Sequence, residues 1–253
     1  MKEAFSEVSR PFDAIASALG TPPAVVESDR HWCWQGTLGE ARFAFYGKAS
    51  SPESGGERDL DAALERAGLR LATLRQVHSA RVIEASAAGP CGDGDALVTR
   101  EHDLALRVVT ADCVPVLLAS PVAIAAVHAG WRGLAAGIVS AAVAALGPAA
   151  RPLRAVIGPS IGGCCYEVGP EVAEQVARST GSATVILERG DGRRPHLDLA
   201  LAARLELARA GVEEIATIDA CTRCTVERLW SYRRDGKRAG RNVALIWRDR
   251  ERA

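Results

Sequence analysis

Three side chains in this sequence have the chemistry to hold a metal ion at an open site: His78, Cys113 and His128. Each stands at the end of a stretch that reads as a β-strand. His78 follows Leu74-Arg75-Gln76-Val77, Cys113 closes Thr110-Ala111-Asp112-Cys113 between two apolar runs, and His128 follows Ala125-Ala126-Val127. Side chains from several strand ends can converge on one rim of a sheet, and two imidazoles with one thiolate make a zinc set that leaves a fourth position open. The same residues also allow chemistry without a metal, with Cys113 as nucleophile and His128 as its base. The spacing does not choose between the two readings.

Immediately after His128, the run Ala129-Gly130-Trp131-Arg132-Gly133 stands where a strand should turn into a helix. Such a turn directs backbone N–H groups toward an anion, and the planar guanidinium of Arg132 is suited to grip phosphate. Asp95 and Arg233, the latter within Ser231-Tyr232-Arg233-Arg234-Asp235-Gly236, are weaker candidates for the substrate surface. A second glycine-rich loop, Ile157 to Gly163, matches neither the mononucleotide nor the dinucleotide fingerprint and stays open as a loop that a substrate approaches closely. Cys221-Thr222-Arg223-Cys224 has the form of a metal or redox pair but no second pair at zinc-ribbon spacing, so a packing role is expected for it. No general acid or base stands out beside the three ligands, because Asp112 in a strand would point to the face opposite Cys113.

The elements that must position these residues are readable from periodicity. Short strands are expected at 41–46, 71–77, 81–85, 96–99, 104–110, 114–119 and 122–128, with a Ser120-Pro121 turn between the last two. Helices are expected at 12–19, 58–69, 133–146, 170–178 and 198–210, the last capped by Asp198, with strands at 155–158, 184–187, 215–218 and 243–247 between and after them. A polar, glycine-rich loop occupies 48–57. Clustered strands followed by helix–strand alternation imply an α+β fold of packed sheets flanked by helices.

Composition sets the wider frame. With 253 residues, 48% of them apolar, the chain can bury a large core. Thirty-one basic residues balance 31 acidic ones, so no global field favours nucleic acid or an anionic membrane, and a small-molecule partner fits better. The first ten residues are charged and lack an apolar core, and the longest apolar stretches are only strand-sized, which predicts neither a signal peptide nor a membrane span. Seven cysteines, two of them adjacent at Cys164-Cys165, make a poor disulfide framework and point to a reducing cytoplasm.

On these motifs the chain resembles the YfiH/YlmD-type family, also known as laccase-domain or multicopper polyphenol oxidase proteins. The stretches that carry the resemblance are LRQVHSARV, GDALVT, LRVVTADCVPVLLA, AAVHAGWRGLAAGIV, IGPSIGGCCYEVGPEV and CTRC…LWSYRRDGKRAGRNVALIW, spanning about residues 71 to 248. The resemblance implies one α/β/β/α domain of layered mixed sheets over residues 1–253. It implies one zinc ion held by the histidine of QVH, the cysteine of ADC and the histidine of VHAGWRG, which are His78, Cys113 and His128 here. It further implies phosphorolysis of adenosine, inosine or methylthioadenosine by inorganic phosphate, adenosine deamination, or hydrolytic editing of peptidoglycan precursors. Similarity of this fold to cysteine-dependent deamidases keeps the nucleophile reading of Cys113 open, and a zinc-stabilised binding module is the non-enzymatic alternative.

The N-terminal arm, about residues 1–70, departs from the family pattern. Where the family reads F-S-T-R-x-G-G-V-S, the nearest text here is Phe45-Tyr46-Gly47-Lys48-Ala49-Ser50. The oxidase label fails on counting, since a multicopper cluster needs many imidazoles and a blue-copper site usually adds an axial methionine. Five histidines and a single methionine, Met1, argue against such a cluster and leave only adventitious copper at the three-ligand site.

Overall fold

Two mixed β-sheets stacked face to face carry the site. The structure, a computed structural model, describes residues 24–28, 31–49, 68–190 and 192–250. With strands numbered in chain order, the first sheet runs β1 (Ala24–Ser28), β2 (His31–Leu38), β3 (Ala41–Ala49), β15 (Asn242–Arg248), β8 (Leu104–Thr110), β4 (Arg70–Arg75) and β6 (Gly89–Asp93). Its strands are antiparallel from β1 to β8 and parallel from β8 to β6. The second sheet runs β14 (Glu214–Thr217), β11 (Arg154–Ile157), β9 (Val114–Ala119), β10 (Ile124–Ala129), β7 (Ala96–Thr99) and β5 (Val82–Glu84). A small antiparallel pair joins β12 (Ile186–Leu187) to β13 (His196–Leu197).

Burial explains the patterns in the sequence. Strands β9 and β10 are buried at every residue because one face meets the other sheet and the opposite face meets helices, so they read as unbroken apolar runs. Between the sheets, Phe43, Phe45, Leu104, Leu106, Val108 and Ile246 pack against Leu97, Leu117, Ile124 and Val156. On the far side of the second sheet, Val116, Leu118, Ala125 and Val127 meet the helices α2 (Ile138–Leu146), α3 (Pro170–Thr180) and α4 (Leu199–Arg209). In β15 alternate residues serve two cores: Ala244 and Ile246 face the second sheet, while Val243 and Leu245 join Leu69, Leu71 and Trp247 on the outer face.

The strands expected at 96–99, 104–110 and 114–119 have those bounds, and Asp198 caps α4 by accepting from the Leu201 N–H at 2.9 Å. The helix expected over 133–146 is instead two, α1 (Trp131–Ala135) and α2, because Gly137 takes a left-handed conformation with φ 78° and ends the ladder. Of the strand expected at 184–187, the first part is a 3₁₀ turn. Strand β6, Gly89-Pro90-Cys91-Gly92-Asp93, shows no apolar alternation and was not expected; it is held by pairing with β4. The helix expected at 12–19 and nearly all of the loop at 48–57 and the helix at 58–69 lie outside the described residues, so described helices flank only the second sheet. Among the described residues no helix is long and apolar enough to cross a membrane.

Candidate metal centre and its cleft

His78, Cys113 and His128 come together at one rim where both sheets end. Their ligand atoms all lie within 4.8 Å of one another, with His78 Nε2 3.9 Å from Cys113 Sγ and the imidazole rings edge to face at a centroid distance of 4.9 Å. His128 belongs to β10 itself, Cys113 sits in the turn from β8 to β9, and His78 lies in the loop after β4. That loop is anchored from one side by the Gln76 amide, which donates to the Val109 carbonyl at 2.7 Å and accepts from its N–H at 2.8 Å.

From the other side the loop is anchored by Asp95, which is wholly buried. Its carboxylate accepts from the backbone N–H groups of His78 (2.9 Å) and Ser79 (2.6 Å), from the Ser79 hydroxyl (2.8 Å), and lies 2.8 Å from His128 Nδ1. These bonds hold His78 at φ 60°, a left-handed conformation rare for a residue with a side chain. Asp112 is also left-handed, at φ 103°, and is fixed through its own carboxylate by the Thr222 hydroxyl and the Arg233 N–H, both at 2.6 Å. Two ligands therefore hang on strained backbone that carboxylate hydrogen bonds hold in place.

The electrostatics favour an ionised sulfur. Burial opposes the charge on Asp95, but the hydrogen bonds from His128, Ser79 and His78 outweigh it and hold the carboxyl well below the usual range. Burial likewise works against the His128 cation, yet bonds to Asp95 and Cys113 lift that imidazole to about 9. At Cys113 burial raises the thiol, and hydrogen bonds from His128 and His78 more than reverse this, bringing it down to about 7. With Nδ1 committed to Asp95, His128 presents Nε2 to the centre, the arrangement by which outer carboxylates orient metal-bound histidines. The candidate ligands are packed closely against Gly130 as well, since a Cβ there would stand 3.0 Å from His78 Cδ2 and 3.1 Å from Cys113 Sγ.

The three ligands open on a cleft of roughly 630 Å³ whose wall carries Arg132, Arg233 and Arg241. Among the described residues none of these guanidinium groups has a carboxylate partner. Arg132 lies over the Trp131 ring at 4.5 Å, and Arg233 lies over Tyr166 at 5.0 Å while donating to the Glu167 carbonyl at 2.9 Å. Arg132 is in the first turn of α1 rather than in a turn before a long helix, and five residues give little helix dipole, so its guanidinium is left as the anion-binding feature. Asp95, expected at the substrate surface, is instead sealed beneath the ligands with its oxygens engaged by the loop and His128.

Sequence reasoning missed Tyr166 and Thr110. Both line the cleft, and the Thr110 hydroxyl is buried without a partner among the described residues. Burial, and then the negative charge of Cys113, push the Tyr166 phenol up to about 12. The signal for Tyr166 is the glycine-rich loop Ile157 to Gly163, open to close approach by a substrate, which runs on into Cys164-Cys165-Tyr166. His102 and His196 face elsewhere, with His102 Nδ1 3.2 Å from the Asp249 carbonyl and His196 Nδ1 2.7 Å from that of Gly163. The pair Cys221 and Cys224, expected only to pack, has its partners in the adjacent Cys164 and Cys165, all four sulfurs lying within 4.8 Å.

The chain is similar to known proteins both in sequence and in fold. A family model described as multi-copper polyphenol oxidoreductase laccase matches residues 56–249. The chain is 44% identical over 190 residues to a protein of Streptomyces coelicolor named purine nucleoside phosphorylase, covering 71% of this chain and 76% of that one. It is 43% identical to a Deinococcus radiodurans protein of the same name, with 74% of each covered. Among solved structures, NMB0706 of Neisseria meningitidis superposes with a TM-score of 0.76 at 31% identity, covering 86% of this chain and 99% of that one. YlmD of Geobacillus stearothermophilus superposes at 0.72 with 28% identity, covering 84% and 93%. By sequence and by fold, the chain belongs to the YfiH-type laccase-like domain family.

Proposed function

We propose that this chain, acting as one domain, is a zinc-dependent purine nucleoside phosphorylase that cleaves adenosine, inosine or methylthioadenosine with inorganic phosphate. The observation that carries the reading is the opening of a His78–Cys113–His128 centre onto a cleft lined by guanidinium groups without carboxylate partners. Relatives named purine nucleoside phosphorylases support the substrate class. Two imidazoles and a thiolate at this spacing suit zinc, and one thiolate leaves the ion enough positive charge to polarise a substrate oxygen.

The residues then divide the work. Arg132 and Arg233 hold phosphate against the ribose, where one phosphate oxygen bonds to the anomeric carbon as the bond to the purine nitrogen breaks. The departing base takes the electron pair and, from the attacking phosphate monoanion, a proton, which leaves the sugar 1-phosphate and the neutral base. Tyr166, whose phenol keeps its proton up to about 12, donates a hydrogen bond to the base or sugar without ionising. Asp95 touches no substrate; it is a positioning residue that fixes the His78 loop and the His128 ring. Adenosine deamination, in which water displaces the 6-amino group as ammonia, is a second activity proposed for the same cleft.

The test is turnover of adenosine and inosine with and without phosphate, before and after chelation, beside the Cys113→Ala variant. Phosphate-dependent release of free base, lost on chelation and restored by zinc, is the expected result. Release of free base at an undiminished rate without phosphate would overturn phosphorolysis. A second reading rests on the Asp95–His128–Cys113 chain, which has the order of an orienting acid, a base and a nucleophile. It predicts a cysteine hydrolase acting on peptidoglycan precursors, indifferent to chelators and inactive as Cys113→Ser. Tight zinc with no turnover of either substrate class would leave the binding-module reading.

A further inference from the structure

Away from the cleft, two segments far apart in sequence bring four cysteines into one cluster. Cys164 and Cys165 lie at the end of the glycine-rich loop after β11, and Cys221 and Cys224 lie in the turn after β14. The sulfurs lie 3.7 Å apart for Cys164–Cys165, 3.8 Å for Cys164–Cys224 and 3.3 Å for Cys165–Cys224. Four thiolates around one zinc at about 2.3 Å stand about 3.8 Å apart in a tetrahedron, so the cluster already has nearly that size. None of the four forms a disulfide.

We infer that Cys164, Cys165, Cys221 and Cys224 form a second metal site, a closed four-thiolate zinc site with a structural role. Zinc binding releases the thiol protons to solvent, leaving two net negative charges on the site. The surroundings suit that charge. The Gly162 N–H donates to Cys221 Sγ at 3.3 Å, and the Arg223 side chain hydrogen-bonds Cys165. With all four positions taken by protein, the ion has none left for substrate, unlike the centre at His78.

The site would fasten together two segments that support the cleft. They already meet through a bridge between Ser160 and Cys221, with the Thr222 N–H donating to the Ser160 carbonyl at 3.0 Å. One segment runs on to Tyr166 in the cleft wall, and the other supplies Thr222 to Asp112, the residue before Cys113. A metal clamp at the four cysteines therefore holds the backbone from which Tyr166 and Cys113 are presented.

The experiment is zinc titration of the full chain, stripped and fully reduced, against a chromophoric competing chelator. The expected result is two tight equivalents for the wild type, one for Cys113→Ala, one for Cys224→Ser, and none for the double variant. Cys164→Ser serves as a second probe should Cys224→Ser not fold, with circular dichroism as the check. Cobalt loading of Cys113→Ala should give intense sulfur-to-metal charge-transfer absorption that Cys164→Ser loses. Because the two sites are removed separately, failure at His78 and failure at the cysteine cluster give different stoichiometries. A Cys113→Ala chain that binds no zinc tightly would overturn the inference. So would iron in place of zinc in the protein as isolated, or a denatured, unreduced chain with two fewer free thiols than the sequence contains.

Discussion

Asp95 Oδ1 lies 2.8 Å from His128 Nδ1 and 2.9 Å from the backbone nitrogen of His78, so one buried carboxylate sets both imidazoles of the candidate metal centre. A group that orients two ligands at once should matter to metal affinity out of proportion to its distance from the ion. Asp95→Asn keeps the shape but places an amide against several N–H donors. It is expected to weaken zinc binding about 10- to 100-fold, read by chelator competition, while leaving the far-ultraviolet dichroism unchanged. Unaltered affinity would leave Asp95 without its positioning role.

Gly130 is needed for the space it leaves. The Cβ of Gly130→Ala would meet His78 and Cys113 at 3.0 and 3.1 Å, closer than ordinary van der Waals contact, so both ligands must shift. Zinc affinity should drop by about tenfold or more, with a smaller change at Gly137→Asn, where nothing lies within 4 Å. Equal effects at the two glycines would mean that backbone conformation, and not ligand crowding, sets the result.

Removing a guanidinium from the cleft separates anion binding from metal binding. Arg132→Ala and Arg233→Ala should each raise the KM for phosphate about 10-fold or more, the worth of a charge-assisted hydrogen bond, with zinc content unchanged. Steady-state kinetics at varied phosphate decides it, and a KM that stays put in both variants would detach these arginines from phosphate.

Glu206 provides a pH test of the helical layer. It is buried at 2% exposure on α4 with neither carboxylate oxygen hydrogen-bonded among the described residues, and that burial raises its carboxyl from 4.5 to about 7. The folded chain therefore holds a proton that the unfolded chain releases between these values. Its contribution is complete below about pH 4.5 and is lost as pH rises through about 7. Urea unfolding from about pH 5 to 8 should show the wild type losing up to about 1.4 kcal/mol per pH unit more than Glu206→Gln. Parallel pH profiles would show that Glu206 is ionised in the fold.

Much of this protein is decided by local sequence. Runs such as Val114–Ala119 specify strands buried on both faces, Asp198 specifies a helix start, and the types of His78, Cys113 and His128 name the candidate ligands, because side-chain chemistry and period are local properties. Tertiary structure alone decides the rest. Asp95 reads as a surface acid before a strand and becomes the buried anchor of two ligands only when β7 and β10 pair. Tyr166 reaches the cleft because the loop after β11 folds back against the turn holding Asp112. Cys164-Cys165 and Cys221-Thr222-Arg223-Cys224 show no zinc-ribbon spacing, because a four-sulfur cluster depends on distances in space, and β11 pairing in parallel with β14 is what closes the gap between them.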